Sequence, residues 1–205
     1  MTARLEFFFE FASTYSYPAA MRIESAATAR GVEVDWRPFM LGPIAKAQLG
    51  VTDSIFNQMP LKGQYMWRDV KRICDKLDLP FQRPDVFPQN GLRAARIALA
   101  LLEAGAPAAV AFIKAVYLAN FRDNASISDK DVLARLVAEA GADVDAALAA
   151  AGSQAAKDAL RANTDLAVAR GVFGAPMFFT PDGEMFWGND RLEDALDWTV
   201  ALAPA

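Results

Sequence analysis

The chain has 205 residues, 54% hydrophobic and 22% charged, with a net charge of -4. This suits a globular chain with a full core, one domain with an insertion or two small ones, and the acidic balance disfavours nucleic acid, which needs clustered positive charge. The absence of histidine excludes histidine-based triads, histidine acid–base catalysis and histidine metal sites, and a lone cysteine, Cys74, excludes an internal disulfide.

From the N-terminus, the apolar run Leu5 to Phe11 predicts a buried strand centred on Leu5–Phe9. The run is short and lies between Glu6 and Glu10, so it is no signal peptide. No uncharged stretch is long enough to span a bilayer. With a single cysteine, these features fit a cytoplasmic protein with no membrane partner. Ser13-Thr14-Tyr15-Ser16 follows, then Pro18, in the first turn of a helix that reaches about Arg30 and stops at Gly31. Val32 to Arg37 alternates as a second strand, ended by Pro38. Strand, helix, strand is most simply a right-handed parallel unit.

Pro38 to about Met59 reads as a loop, with Gly42, Pro43 and Gly50 along it. Helical patterning runs from Lys62 to Leu77, with Tyr65, Met66, Val70, Ile73, Cys74 and Leu77 as its apolar stripe. Pro80, Pro84 and Pro88 mark a connector. Further helices span Gly91–Glu103, capped by Asn90, then Pro107–Asn120, a segment ending at Gly141 that starts with a Ser128-x-x-Asp131 box, Asp143–Ala151 and Ser153–Arg170. Strand character returns at Met177–Thr180 and Glu184–Trp187 around the turn Pro181-Asp182-Gly183. Asp190-x-x-Glu193 reads as a capping box for a last helix, Arg191 to Ala201. The fold expected is α/β: a thioredoxin-like order of elements in residues 1–40 and 153–205, interrupted by an all-helical insertion at 41–152.

The strand-to-helix junction at Ser13 presents open backbone N–H groups and the positive end of a helix dipole, which stabilise an anion, a thiolate included. Ser-x-x-Ser has the spacing of a redox Cys-x-x-Cys motif with both thiols replaced by hydroxyls. Ser13 therefore reads either as a helix cap or as a hydrogen-bond donor to a thiolate brought by another molecule. Gly174-Ala175-Pro176 precedes the third strand. Pro176 either starts that strand in trans or follows a cis bond that offers the N–H and C=O of Ala175 to an extended peptide. Asn189 and Asp190 read as capping residues or as contacts for an amino-acid head group. Lys62, a cation at a helix start, is either solvated or faces an anionic ligand. Arg68, Lys71 and Arg72 read as a solvated face, Cys74 as core, and Phe39-Met40-Leu41 either as core or as the lining of an aromatic-substrate pocket.

Phe9 to Tyr17, Lys62-Gly63-x-Tyr65-Met66, Gly171 to Pro176 and Trp187 to Leu192 together resemble the 2-hydroxychromene-2-carboxylate isomerase family, which lies with the kappa-class glutathione transferases in the DsbA-like branch of the thioredoxin fold. The resemblance implies glutathione as cofactor, a small aromatic substrate, no metal and a homodimer. It implies that Ser13 is the catalytic residue that faces the glutathione sulfur. Ala175 would pair with the cysteinyl unit ahead of a cis Pro176, Asn189 and Asp190 would hold the γ-glutamyl end, and Lys62 would meet the glycyl carboxylate. Thr14 stands where the family often has proline, and Met177 where it often has a β-branched residue. A kappa-like transferase and a thioredoxin-fold binding module without turnover are the alternatives.

Overall fold

Strand β1 (Ala3–Phe9) lies inside the sheet with Leu5, Phe7, Phe8 and Phe9 fully buried. The structure, a computed structural model, describes residues 3–105 and 107–202. Met1 and Thr2 of the opening stretch, Ala106, and residues 203–205 at the end of the expected C-terminal segment lie outside the described residues. Helix α1 (Ser16–Thr28) leads into β2 (Val32–Pro38), which pairs with β1 in parallel, from Ala3 opposite Val32 to Phe9 opposite Pro38.

Helices then follow without interruption by a strand among the described residues: α2 (Leu41–Leu49), α3 (Ile55–Gln58), α4 (Pro60–Lys76), α5 (Leu92–Glu103), α6 (Ala108–Phe121), α7 (Lys130–Glu139), α8 (Val144–Gly152) and α9 (Gln154–Ala169). The chain returns to the sheet as β3 (Met177–Phe179) and β4 (Met185–Trp187), the hairpin that Pro181-Asp182-Gly183 predicts. A 3-10 turn, Asn189–Arg191, and α10 (Leu192–Ala201) end the described chain. The sheet order is β2-β1-β3-β4, with β3 antiparallel to both neighbours. This is the thioredoxin-like α/β arrangement with a large helical insertion. Among the described residues no helix is long and apolar enough to cross a membrane.

Four local expectations are corrected. The loop expected over Pro38–Met59 contains α2 and α3. Gly42 and Pro43 sit in the first turn of α2, where a missing N–H removes no helical bond. Gly50 follows its last turn at φ +69°, donating to Lys46 O at 3.0 Å. Helix α4 starts at Pro60, two residues before Lys62. Asp129 rather than Ser128 caps α7, its carboxylate accepting from Asp131 N–H at 2.8 Å and Val132 N–H at 3.1 Å, while the Ser128 hydroxyl pairs with that of Ser126. Asp190 forms no capping box, because the 3-10 turn intervenes and Glu193 pairs with Arg22 instead.

The sheet separates two apolar clusters. Leu5, Phe7, Phe9 and Phe11 pack with residues of α1, α4, α5 and α6, and Phe8 packs with Phe39, Ile44, Met177 and Phe179. Phe7 stacks on Phe178 across the β1–β3 pair at 5.3 Å and meets Trp36 edge-on at 5.1 Å. Each such ring contributes about 2 kcal/mol or more by leaving water, so the centre of the sheet is rigid where β1 ends. Cys74 and Phe39 are core, and burial pushes the Cys74 thiol up to about 12.

Candidate active site

The turn after β1 is closed by Ser13 N–H, which donates to Glu10 O at 3.0 Å. The Ser13 hydroxyl accepts from Ser16 N–H, the first of α1, at 3.2 Å and donates to Ala175 O at 2.9 Å. One hydroxyl thus ties the helix start to the segment before β3. The first turn of α1 holds no acidic residue, so its positive end is uncompensated.

The Ala175–Pro176 bond is cis, as is Phe87–Pro88. Among the described residues nothing accepts a hydrogen bond from Ala175 N–H. Pro176 O accepts from Gly188 N–H at 3.0 Å, which draws the Asn189–Arg191 turn to the same place. Ser13, Ala175, Pro176, Asn189 and Asp190 are therefore linked through three consecutive connections. Phe173 and Trp187 form the aromatic rim beside them, ring centroids 4.9 Å apart.

Asn189 is buried, and its side-chain oxygen accepts from Arg22 Nε at 3.1 Å. Arg22 also donates to Asn189 O and forms an ion pair with Glu193. Asp190 is exposed, and among the described residues its one ion pair is a long one, 3.7 Å, with Arg191. Its carboxylate is free to meet a cation, and its charge reaches the Tyr15 phenol.

Among the described residues no hydrogen bond or ion pair joins Lys62 to this cluster. It is exposed on the first turn of α4, over the Phe56 ring at 5.9 Å. Helix α4 reaches the site through Asp69, which accepts from Tyr15 Oη at 3.0 Å and from Arg72 at 3.2 Å. Burial, then Asp69, pushes the Tyr15 phenol up, so it stays a donor at neutral pH. Lys71 pairs with Asp75 on its own helix, an exposed pair as expected of a solvated face.

Sequence reasoning missed two residues. Arg22 holds the Asn189 turn, and nothing in its local pattern marks it. Glu10 was noted only as a charge flanking an apolar run. Its carbonyl anchors Ser13 and also accepts from Tyr117 Oη at 3.1 Å, and its carboxyl is half-buried and pushed up to about 7 by burial.

The family model described as a DSBA-like thioredoxin domain matches residues 4–197. A 2-hydroxychromene-2-carboxylate isomerase from Sphingobium xenophagum is 32% identical over 193 residues, covering 94% of this chain and 96% of that protein. Glutathione s-transferase kappa 2 from Caenorhabditis elegans is 23% identical, covering 95% of this chain and 90% of its own. A solved structure of 2-hydroxychromene-2-carboxylate isomerase superposes with a TM-score of 0.83 at 27% identity, covering 97% of this chain and 95% of that one. With the turn at Ser13, the cis Pro176 and the β2-β1-β3-β4 sheet all in place, the chain belongs to the 2-hydroxychromene-2-carboxylate isomerase family of DSBA-like thioredoxin-domain proteins.

Proposed function

We propose that the chain is a glutathione-dependent isomerase of 2-hydroxychromene-2-carboxylate or a related aromatic keto acid. The observation that carries this is the Ser13–Ala175 hydrogen bond, which brings a hydroxyl, a helix N-terminus and an open backbone N–H to one point. These residues fit a cysteinyl peptide: Ala175 offers backbone pairing, α1 offers its positive end, and Asp190 offers an exposed carboxylate. Bound there, glutathione would supply the reversible thiolate nucleophile that this chain lacks. Its relative among the kappa glutathione transferases supports that choice of cofactor.

In this reading Ser13 stabilises negative charge on sulfur, with the α1 dipole acting on the same atom. Ala175 and Pro176 hold the cysteinyl backbone. Asn189, fixed by Arg22, and Asp190 orient the γ-glutamyl end, and Lys62 meets the glycyl carboxylate. Residues 1–40 with 153–205 act as the thioredoxin-like domain and 41–152 as the domain that covers it, in a cytoplasmic homodimer. The substrate is a small aromatic acid, and no metal takes part.

The test is isomerisation of 2-hydroxychromene-2-carboxylate with and without glutathione. A rate that depends on glutathione, with the thiol recovered unchanged, is expected, and equal rates overturn the proposal. The kappa-class relative favours one second reading, a transferase that consumes glutathione in a stoichiometric conjugate.

A further inference from the structure

The turn that carries Ser13 begins where the sheet stops. Phe9 O, the last carbonyl of β1, accepts from Phe39 N–H at 3.1 Å. The next two carbonyls, those of Glu10 and Phe11, lie past the end of the strand, and a carbonyl shut away from water needs a donor. Both find one on helix α6. Tyr117 Oη donates to Glu10 O at 3.1 Å, and Asn120 Nδ2 donates to Phe11 O at 3.1 Å. Three residues apart, the two side chains stand on one side of the helix. Glu10 O also accepts from Ser13 N–H, so Tyr117 and Ser13 share one oxygen.

Both donors are themselves held. The Tyr117 ring is fully buried and packs on Phe11 at 5.2 Å and on Tyr17 at 6.1 Å. Asn120 and Gln89 are buried, and their amides can be oriented from a backbone group. Ile127 N–H can only donate, so the atom it meets at 2.9 Å is Gln89 Oε1. Gln89 Nε2 is then a donor, to Ala125 O and to Asn120 Oδ1, each at 3.0 Å. That leaves Asn120 Nδ2 for Phe11 O. The chain of donors runs one way, from the loop after α6 to the turn before α1.

We infer that Tyr117 and Asn120 are positioning residues for Ser13, an inference that rests on the glutathione reading of the site. Neither touches the sulfur. They act through the carbonyls of Glu10 and Phe11, which fix the turn, and the turn fixes where the Ser13 hydroxyl points. A hydrogen bond weakens steeply as its geometry degrades. The helix that supplies the two donors lies 107 and 109 residues further along the chain from the carbonyls they hold, so α6 rather than the sheet sets the reach of the serine.

The experiment compares the wild type with Tyr117→Phe, Asn120→Ala and, as a control, Tyr17→Phe. Tyr117→Phe removes one oxygen and leaves the ring packing in place. Tyr17→Phe also removes a buried phenol oxygen, but one that donates to Pro80 O at 2.6 Å and not to the turn. Without ligand, amide exchange at Ser13 N–H should be about tenfold faster in Tyr117→Phe, the scale of one hydrogen bond, and unchanged in Tyr17→Phe. With glutathione bound, ultraviolet absorbance should place the thiol pKa about half a unit higher in Tyr117→Phe and Asn120→Ala. Their kcat should fall about tenfold with substrate KM unchanged, and Tyr17→Phe should move neither. In a Ser13→Ala background Tyr117→Phe should add nothing to the thiol shift, because its route is the serine. Should Asn120→Ala fail to fold, Tyr117→Phe decides alone. A Tyr117→Phe variant with wild-type exchange at Ser13 and wild-type thiol acidity overturns the inference, as does an equal thiol shift with Ser13 absent. A wild type that binds no glutathione overturns the reading of the site instead, and the exchange rate at Ser13 N–H still decides whether Tyr117 holds the turn.

Discussion

The hydroxyl of Ser13 and the carbonyl of Ala175 are hydrogen-bonded at 2.9 Å across 162 residues of chain. A hydroxyl has a single proton, and here the carbonyl holds it. A cysteinyl N–H that reached Ala175 O would displace the serine and release its proton toward the sulfur. Backbone docking and thiolate stabilisation are then one event. The thiol of bound glutathione should be about tenfold more acidic than that of a bound analogue whose γ-glutamyl–cysteinyl amide is an ester, the scale of one hydrogen bond to a charge. Ser13→Ala should abolish the difference. Thiolate ultraviolet absorbance against pH measures it, and equal acidity of the two ligands refutes the exchange.

Arg22 should matter beyond its charge. It joins α1 to both the side chain and the carbonyl of Asn189 and to Glu193. Arg22→Ala leaves a buried asparagine oxygen without its donor and should cost about 2 kcal/mol. Arg22→Lys should recover little, because an ammonium lacks the planar fork. Urea unfolding checks stability, and calorimetry should show weaker glutathione binding in both variants.

Glu10 predicts a stability slope. Its folded value of about 7 lies above the ordinary 4.5. Between those values the folded protein keeps a proton that the unfolded chain has lost, so stability falls as pH rises from about 4.5 to about 7 and then levels. The arithmetic limit is about 3 kcal/mol, and partial exposure reduces it to about 1–2 kcal/mol. Denaturant titrations from acid to mildly basic pH should show the decline in the wild type and a flatter curve in Glu10→Gln. Parallel curves would place the carboxyl in water.

Gly63 lies within α4, where alanine ordinarily gains about 1 kcal/mol. A Cβ there would lie 2.2 Å from Phe56 O, a backbone atom that cannot turn aside. Gly63→Ala should instead destabilise by about 1–3 kcal/mol as α3 and α4 are forced apart. A raised midpoint of unfolding would show that the two helices do not approach so closely.

Cys74 should resist alkylation in the native protein. It is fully buried on α4, and burial pushes its thiol up to about 12, leaving almost no thiolate at neutral pH. Mass spectrometry after iodoacetamide should show modification only once the chain is unfolded. Rapid labelling under native conditions would contradict the packing of α4 onto the core.

What was legible in the sequence was local. An apolar run ending at Ser13, an alternating second strand and Pro181-Asp182-Gly183 each carry their own geometry, so strands, junction and hairpin could be read in order. Helix α2 could not, because Gly42, Pro43 and Gly50 punctuate a loop and bracket a short helix equally well. Arg22 was invisible because its partner lies 167 residues away. Glu10 was visible as a residue but not as chemistry, since its burial belongs to the whole packed structure rather than to its neighbours in the chain. Asp190 shows the reverse error: a good local capping pattern was displaced by a tertiary ion pair at Glu193.

The place of β3 inside the sheet, between β1 and β4, has a consequence for synthesis. On the ribosome β1 and β2 emerge early, while their missing neighbour waits behind the helical stretch from α2 to α9. Throughout that interval β1 carries an open, phenylalanine-rich edge, the kind of surface on which nascent chains stick to one another. Only when the hairpin leaves the exit tunnel does Phe178 cover Phe7 and Ala175 arrive at Ser13. Competence and protection against aggregation are thus acquired in the same late moment, and a message truncated before the hairpin yields neither.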